Sequence, residues 1–284
     1  MPNRFATRLT FALFLRASAA YAQSNAVMGS TLFAWESIEN KANTNGSARQ
    51  FFRAPTAALL QLECHVTSLN PGLASHAPHH HPEEEIVIIR QGTVEALVNG
   101  EWKRVGPGSV IFYAANVTHD LKNVGDVPAL YHVFSWRSSL TPPRTTHEDS
   151  IESSKLASMN PPFNKDWLAP LAIDWIAVTP QTNAGAGTVT RRFFASKAAT
   201  ADWLECHATI VAPGGSSHAP SLHPDEEVIV LEEGQVEAYL NDAWKPVTIG
   251  SVIFNAANTT SALRNVGNTP AKYYVFTWRA PKSS

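Results

Sequence analysis

Residues 49–137 align with residues 191–279 at one constant offset and without a gap, and 47 of the 89 aligned pairs are identical. A match of that length makes the two segments copies of one unit, so the fold of one half is the fold of the other. Leu62-Glu63-Cys64-His65 recurs as Leu204-Glu205-Cys206-His207, and Ser109-Val110-Ile111-Phe112 recurs as Ser251-Val252-Ile253-Phe254. Phe134-Ser135-Trp136-Arg137 closes the first copy and Phe276-Thr277-Trp278-Arg279 the second. With 284 residues, each copy is long enough to bury a core of its own.

Within each copy the pattern is all-β. Leu59 to Leu69 alternates in polarity and ends at Pro71-Gly72, Glu85 to Arg90 is a β-branched run, and Val94–Val98 meets Trp102–Val105 across Asn99-Gly100. An Asn-Gly pair between such runs marks a two-residue hairpin, because both positions tolerate positive φ. Short strands at regular spacing with turn residues between them predict two tandem jelly-roll β-barrels. The expected organisation is one domain over 23–137, a linker over 138–170 broken by Pro142-Pro143 and Pro161-Pro162, and a second domain over 171–284. Glu148 to Met159 is a candidate short helix inside the linker. Phe33-Ala34-Trp35-Glu36 and Ile173-Asp174-Trp175-Ile176 precede the copies as outer strands that are candidates to pack across the seam.

Chemistry concentrates in His79-His80-His81-Pro82-Glu83-Glu84-Glu85 and in the later His119. Successive side chains of an extended strand alternate faces, so His79, His81 and Glu85 are expected on one face, opposite Ile86 and Ile88. Two imidazoles and a carboxylate, joined by His119 from the Gly108–His119 segment, make a set suited to a transition metal. The competing reading is an exposed histidine tract beside a solvated acidic run. His80, Glu83 and Glu84 are read that way here, as surface.

The spacing resembles that of the cupin superfamily. Its first motif, His-x-His, three residues, Glu, six residues, Gly, is matched by His79, His81, Glu85 and Gly92. Its second, Gly, a hydrophobic strand, a turn, His, three residues, Asn, is matched by Gly108, His119 and Asn123, with Ala114-Ala115 where the family's turn has proline. The resemblance implies a small antiparallel barrel in which His79, His81, Glu85 and His119 hold one divalent transition metal, whether Mn, Fe, Co, Ni, Cu or Zn.

The repeat turns that set into a test of the second copy. His79 corresponds to Ser221 and His119 to Ser261, while His81 and Glu85 keep their counterparts His223 and Glu227. Serine hydroxyls replace imidazoles poorly at such a metal, so the second site is expected to be degenerate and its domain a scaffold. His218 is a conceivable rescuing ligand, but His76 occupies the same place beside the full set, which favours a role in the shared fold.

Glu63, His65 and Thr67 share one strand face, opposite Leu62, Cys64 and Val66. If the polar face looks inward, Glu63 and His65 are candidate catalytic residues, as general base or as supports of the metal site. Their recurrence as Glu205, His207 and Thr209 speaks equally for a structural role.

A net charge of −2 argues against nucleic acid as the main partner. Cys64 and Cys206 occupy matching places in the two copies and read as two buried thiols. Segment 1–22 carries Arg4 and Arg8, an apolar run from Leu9 to Leu15, and Ala20-Tyr21-Ala22 before Gln23, the pattern of a signal for export to the periplasm or outside. Its arginines and lack of acids also fit organelle targeting, and a cytoplasmic chain is the third alternative. No later stretch is apolar enough to span a bilayer, so no membrane partner is expected after processing. Two barrels in one chain permit a monomer, and outer strands permit a homo-oligomer.

Two functions compete. One is a metal-dependent enzyme acting on a small polar molecule; the cupin resemblance implies a dioxygenase, decarboxylase, isomerase or ureidoglycine aminohydrolase-like hydrolase. The other is a module that binds a metal or small ligand without turnover. The complete four-residue set favours the enzyme. No phosphate loop, nucleophile elbow or Cys-x-x-Cys pair suggests different chemistry.

Overall fold

The computed structural model describes residues 26–143 and 164–279. The candidate export signal at 1–22 and the candidate helix Glu148–Met159 lie outside the described residues, as does the middle of the linker. The first half runs β1 (Thr31–Phe33), β2 (Lys41–Asn43), β3 (Gly46–Ala54), β4 (Gln61–Leu69), β5 (Glu84–Gln91), β6 (Val94–Val98), β7 (Glu101–Val105), β8 (Val110–Tyr113), β9 (Asp120–Asn123) and β10 (Ala129–Arg137). The second runs β11 (Leu171–Ile173), β12 (Gln181–Asn183), β13 (Thr188–Ser196), β14 (Trp203–Val211), β15 (Ser221–His223), β16 (Glu226–Glu233), β17 (Val236–Leu240), β18 (Ala243–Val247), β19 (Val252–Asn255), β20 (Thr259–Asn265) and β21 (Ala271–Arg279). The expected hairpin is present, with Asn99 and Gly100 at φ 54° and 79° and Val98 paired with Glu101.

Each half is a jelly-roll sandwich of one seven-stranded sheet and one smaller sheet. The seven-stranded orders are β11-β8-β5-β10-β4-β3-β2 and β1-β19-β16-β21-β14-β13-β12; the smaller sheets are β7-β6-β9 and β15-β20-β17-β18. The expected barrel does not close among the described residues. Where the chain passes from large sheet to small, at Gly92 between β5 and β6 and at the Ala114–Asn116 turn between β8 and β9, it bends out of the ladder and the two sheets stay separate.

The lead-in strands are exchanged between the halves. β1 pairs with β19 of the second half, Leu32 opposite Ile253, and β11 pairs with β8 of the first, Ala172 opposite Ile111. Each sandwich therefore takes its outermost strand from the other half of the sequence. Both exchanges are pinned by a tryptophan: Trp35 N–H donates to Ser251 Oγ at 2.9 Å and Trp175 N–H to Ser109 Oγ at 3.2 Å. Gly108, at φ 88°, lies under the Trp175 ring, where a Cβ would approach ring atoms to 3.0 Å.

The two seven-stranded sheets share one core across the seam. Strand alternation gives each of them two apolar faces: Leu62, Cys64, Val66, Ile86, Ile88, Phe112 and Phe134 join Leu204, Cys206, Val228, Val230, Phe254 and Phe276 in a single buried cluster. Cys64 and Cys206 are buried free thiols within it. The opposite faces close two separate cores, one per sandwich, around Val87, Ile89, Val94 and Ile111 and around Ile229, Leu231, Val236 and Ile253.

Glu83 and Glu84, read from sequence as solvated, are buried. Glu83 accepts from Arg137 at 2.9 Å. Glu84 faces the seam, where it accepts from the backbone N–H of Ala199 and Thr200, both at 3.1 Å, and from the Thr200 hydroxyl. Glu226, its counterpart, accepts from Thr56 Oγ1 at 2.6 Å and Ala58 N–H at 3.2 Å. Glu83 and Glu84 look solvated in sequence because these partners, Arg137 for one and Ala199 and Thr200 for the other, are more than fifty residues away.

Candidate metal centre

His79, His81 and Glu85 do not lie on one continuous strand as the alternation predicts. β5 begins only at Glu84, Pro82 and Glu83 form a bend, and His79 belongs to an isolated bridge with His119. The convergence survives because that bridge is a reciprocal pair: His79 N–H donates to His119 O at 3.1 Å and His119 N–H to His79 O at 2.9 Å. The turn before His119 is tied to the same segment, with Asn116 N–H donating to His81 O at 2.7 Å. Asn116 adopts φ 60°, a left-handed conformation asparagine tolerates, which makes the corner without proline.

These constraints bring candidate ligand atoms of His79, His81 and His119 within 4.8 Å of one another. Glu85, paired with Tyr113 across β5 and β8, sets Oε1 3.3 Å from His81 Nε2 and Oε2 3.7 Å from His119 Nε2. The ring tautomers follow from the backbone. His119 Nδ1 donates to Val117 O at 2.8 Å, which leaves its Nε2 as an unprotonated lone pair in the neutral ring, while His81 Nδ1 donates to Glu83 O at 3.2 Å and its Nε2 faces Glu85. His119 Nε2 and His79 Nδ1 are buried without a hydrogen-bond partner. Three imidazoles and a carboxylate converging in one buried space fit a divalent transition metal.

Electrostatics prepare the set. Burial, reinforced by the neighbouring His119, His76 and His81, pushes His79 down to about 3; burial likewise pushes His119 down to about 4, against the pull of Glu85. Both rings are therefore neutral and available as ligands across the physiological range. Burial alone would raise Glu85, but the hydrogen bond and charge of His81, with His119 and His65, hold it below the ordinary carboxylate range. His81 moves the opposite way: burial lowers it, and the bond to Glu85 more than offsets that.

The polar face of β4 looks inward, which decides the question its alternation leaves open. Glu63 is buried, accepting from Gln50 Nε2 at 2.7 Å and Ser135 Oγ at 3.2 Å, and its Oε1 lies 3.0 Å from His65 Nδ1. His65 and Glu85 line two cavities at once: an inner one of about 170 Å³ that reaches His119, Asp120 and Tyr131, and an outer one of about 410 Å³ that reaches His81, Glu63 and Arg53. Within the histidine cluster, His119 lines the first of these cavities and His81 the second.

The second half keeps the cavity, about 210 Å³, but not the set. Ser221 pairs with Ser261 where His79 pairs with His119, and Ser221 Oγ lies 3.3 Å from His218 Nδ1 and 3.2 Å from His223 Nε2. Asn255, the counterpart of Tyr113, donates to Glu227 Oε1 at 2.9 Å and so occupies the remaining carboxylate.

Asp120 and Tyr113 are the site residues that motif spacing misses. The Tyr113 ring stacks on His119 with centroids 4.5 Å apart, and its hydroxyl donates to Asp120 O at 2.9 Å. The signal was available in the repeat: Tyr113 and Asp120 become Asn255 and Ala262 in the half that loses two histidines.

The family model for the cupin domain matches the chain twice, at residues 65–135 and 208–277. No curated protein matches it in sequence. Among solved structures, protein Ylba from E. coli superposes with a TM-score of 0.65 at 13% identity, covering 93% of this chain and 97% of its own. Oxalate decarboxylase from Lactobacillus farciminis, solved with formate, gives 0.62 at 17% identity over 91% and 89%, and AerE from Microcystis aeruginosa gives 0.61 at 14% over 87% and 98%. Identities this low carry the fold and leave the reaction open.

Proposed function

The chain belongs to the cupin superfamily, with one cupin domain in each half, and from that premise we propose that it is a metal-dependent enzyme whose single reaction centre lies in the first half. The observation that carries the reading is the convergence of His79, His81 and His119 within 4.8 Å, with both Glu85 oxygens beside them and with His119 and Glu85 lining a cavity. Buried lone pairs without partners are costly unless a cation shares them, so a set kept intact in one copy and dismantled in the other speaks for use.

His79, His81, His119 and Glu85 are the proposed ligands of one divalent transition metal. Bound there, the metal supplies a Lewis acid or oxygen-activating centre. Tyr113 and the Val117 carbonyl fix the His119 ring, and Glu83 fixes His81 through its carbonyl. His65 is the proposed proton acceptor: burial disfavours its protonated form, Glu63 beside its Nδ1 more than offsets that and orients the ring, and the residue lines both cavities. A cavity of about 170 Å³ suits a small polar molecule. The proposed reaction classes are oxygenation, decarboxylation, isomerisation and hydrolysis of such a molecule. The second domain is the scaffold that covers the seam face of the first.

Elemental analysis of untagged protein tests this reading, beside a His79→Ala/His81→Ala variant. About one transition metal per chain, lost in the variant, is the expected result. Two per chain would overturn the assignment of one centre, and none after reconstitution would leave a binding module without metal chemistry.

A further inference from the structure

The inner cavity has a second pole. Asp120, beside His119, is buried to 1% exposure and lines the same wall as Glu85 and His119. Its Oδ1 is engaged: Leu121 N–H donates to it at 2.7 Å and Ser75 Oγ at 3.3 Å, and His76 Nδ1 lies 3.4 Å away. Its Oδ2 is buried without a partner. A carboxylate oxygen only accepts when ionised, and leaving one desolvated without a donor is costly.

The second half supplies the control. The cavity wall repeats almost residue for residue: His65, Thr67, Ser75, His76 and Tyr131 recur as His207, Thr209, Ser217, His218 and Tyr273. Asp120 does not; Ala262 stands in its place, between the serine that replaces His119 and the retained Leu263. β20 nevertheless pairs regularly with β15 and β17 there, so the corner does not require a carboxylate. Asp120 disappears together with His79 and His119, which ties it to the chemistry of the histidine centre rather than to the fold.

We propose that Asp120 Oδ2 is the specificity determinant of this cavity, accepting a hydrogen bond from a hydroxyl or ammonium group on a small substrate whose other end chelates the metal. The inference rests on the metal-centre reading above and names its substrate class: a compact molecule with a metal-binding oxygen pair at one end and a donor at the other. An apolar tail in the donor's place leaves Oδ2 unpaired and is disfavoured for that reason.

Lactate, glycerate and isoserine provide the test, since they share a 2-hydroxy acid head and differ only in carrying hydrogen, hydroxyl or ammonium on the third carbon. Calorimetric titration of the metal-loaded protein is expected to rank isoserine above glycerate above lactate, with at least a tenfold span, about 1.4 kcal/mol. Asp120→Asn is expected to keep its metal and its lactate affinity while the preference collapses. Asp120→Ala, which copies the residue the second half already tolerates, gives the same readout if the asparagine variant misfolds. A variant that keeps the preference, or a metal-loaded wild type that lacks it or does not bind isoserine, overturns the inference while the metal centre stands. A wild type that holds no metal on elemental analysis removes the metal centre and this inference together.

Discussion

At the residue scale the second site is two imidazoles short, and its remaining members have turned to each other. Ser221 lies between His218 and His223, and Asn255 holds Glu227, so the counterparts of the first half's candidate ligands are internally paired in the second. The pairing underneath is retained, Ser221 opposite Ser261 as His79 is opposite His119, though it lies in a three-residue ladder in the second half and in an isolated bridge in the first. Ser221→His/Ser261→His is therefore expected to raise transition-metal content from about one to about two per chain, and adding Asn255→Tyr, which frees Glu227, to tighten the new site further. Elemental analysis and competition with a chelator check both steps; a double variant that stays at one metal would mean the backbone differs in a way the pairing does not reveal. His79, His81, Glu85 and His119 were legible in sequence because ligand chemistry and spacing are local properties. Asp120 and Tyr113 escape motif spacing, because an aspartate after a histidine and a tyrosine ending a strand are unremarkable locally and only their loss in the second copy, as Ala262 and Asn255, marks them.

At the element scale, the strands and the Asn99-Gly100 hairpin could be read from alternation and turn chemistry, whereas the burial of Glu84 could not. Its donors come from Ala199 and Thr200, in a loop of the other half. Burial raises the Glu84 carboxyl above its ordinary value of 4.5, with the Thr200 and Ala199 bonds opposing but not cancelling the shift. A carboxyl raised on folding binds its proton more tightly in the native state, so its contribution to stability is complete below about pH 4.5 and falls as pH rises through the raised value. Glu84→Gln has no proton to lose. It is expected to be less stable than wild type by about 2 kcal/mol at pH 5, from mismatched seam donors, with the gap narrowing toward pH 8. Urea unfolding of the pair across that range measures the gap, and one that widens with pH would contradict the burial argument. Glu226, shifted the same way by burial against Thr56, should behave alike.

At the scale of the whole molecule, the copies face each other about an approximate two-fold axis, and positions near that axis meet their own counterparts. Phe134 packs on Phe276, its equivalent, with ring centroids 4.8 Å apart. Arg90 meets Glu232, also its equivalent, at 3.0 Å, both largely buried. In a symmetric pair of identical chains such a position would set two like charges together; joining the copies in one chain let the two residues diverge into an ion pair. The sequence shows Arg90 and Glu232 as a charge reversal within the repeat but says nothing of their contact, because strand exchange and the seam are long-range features. Arg90→Glu is expected to cost about 3–5 kcal/mol by stranding two buried carboxylates. The exchanged pair Arg90→Glu/Glu232→Arg should recover at least half of that loss. Full recovery is not expected, since Lys272 also acts on Glu232, whereas the first copy has Leu130 at the matching place. Unfolding free energies of the two single variants and the double variant close the cycle. A double variant no more stable than the sum of the singles would show that the contact does not contribute to the seam, leaving its stability to the shared apolar core.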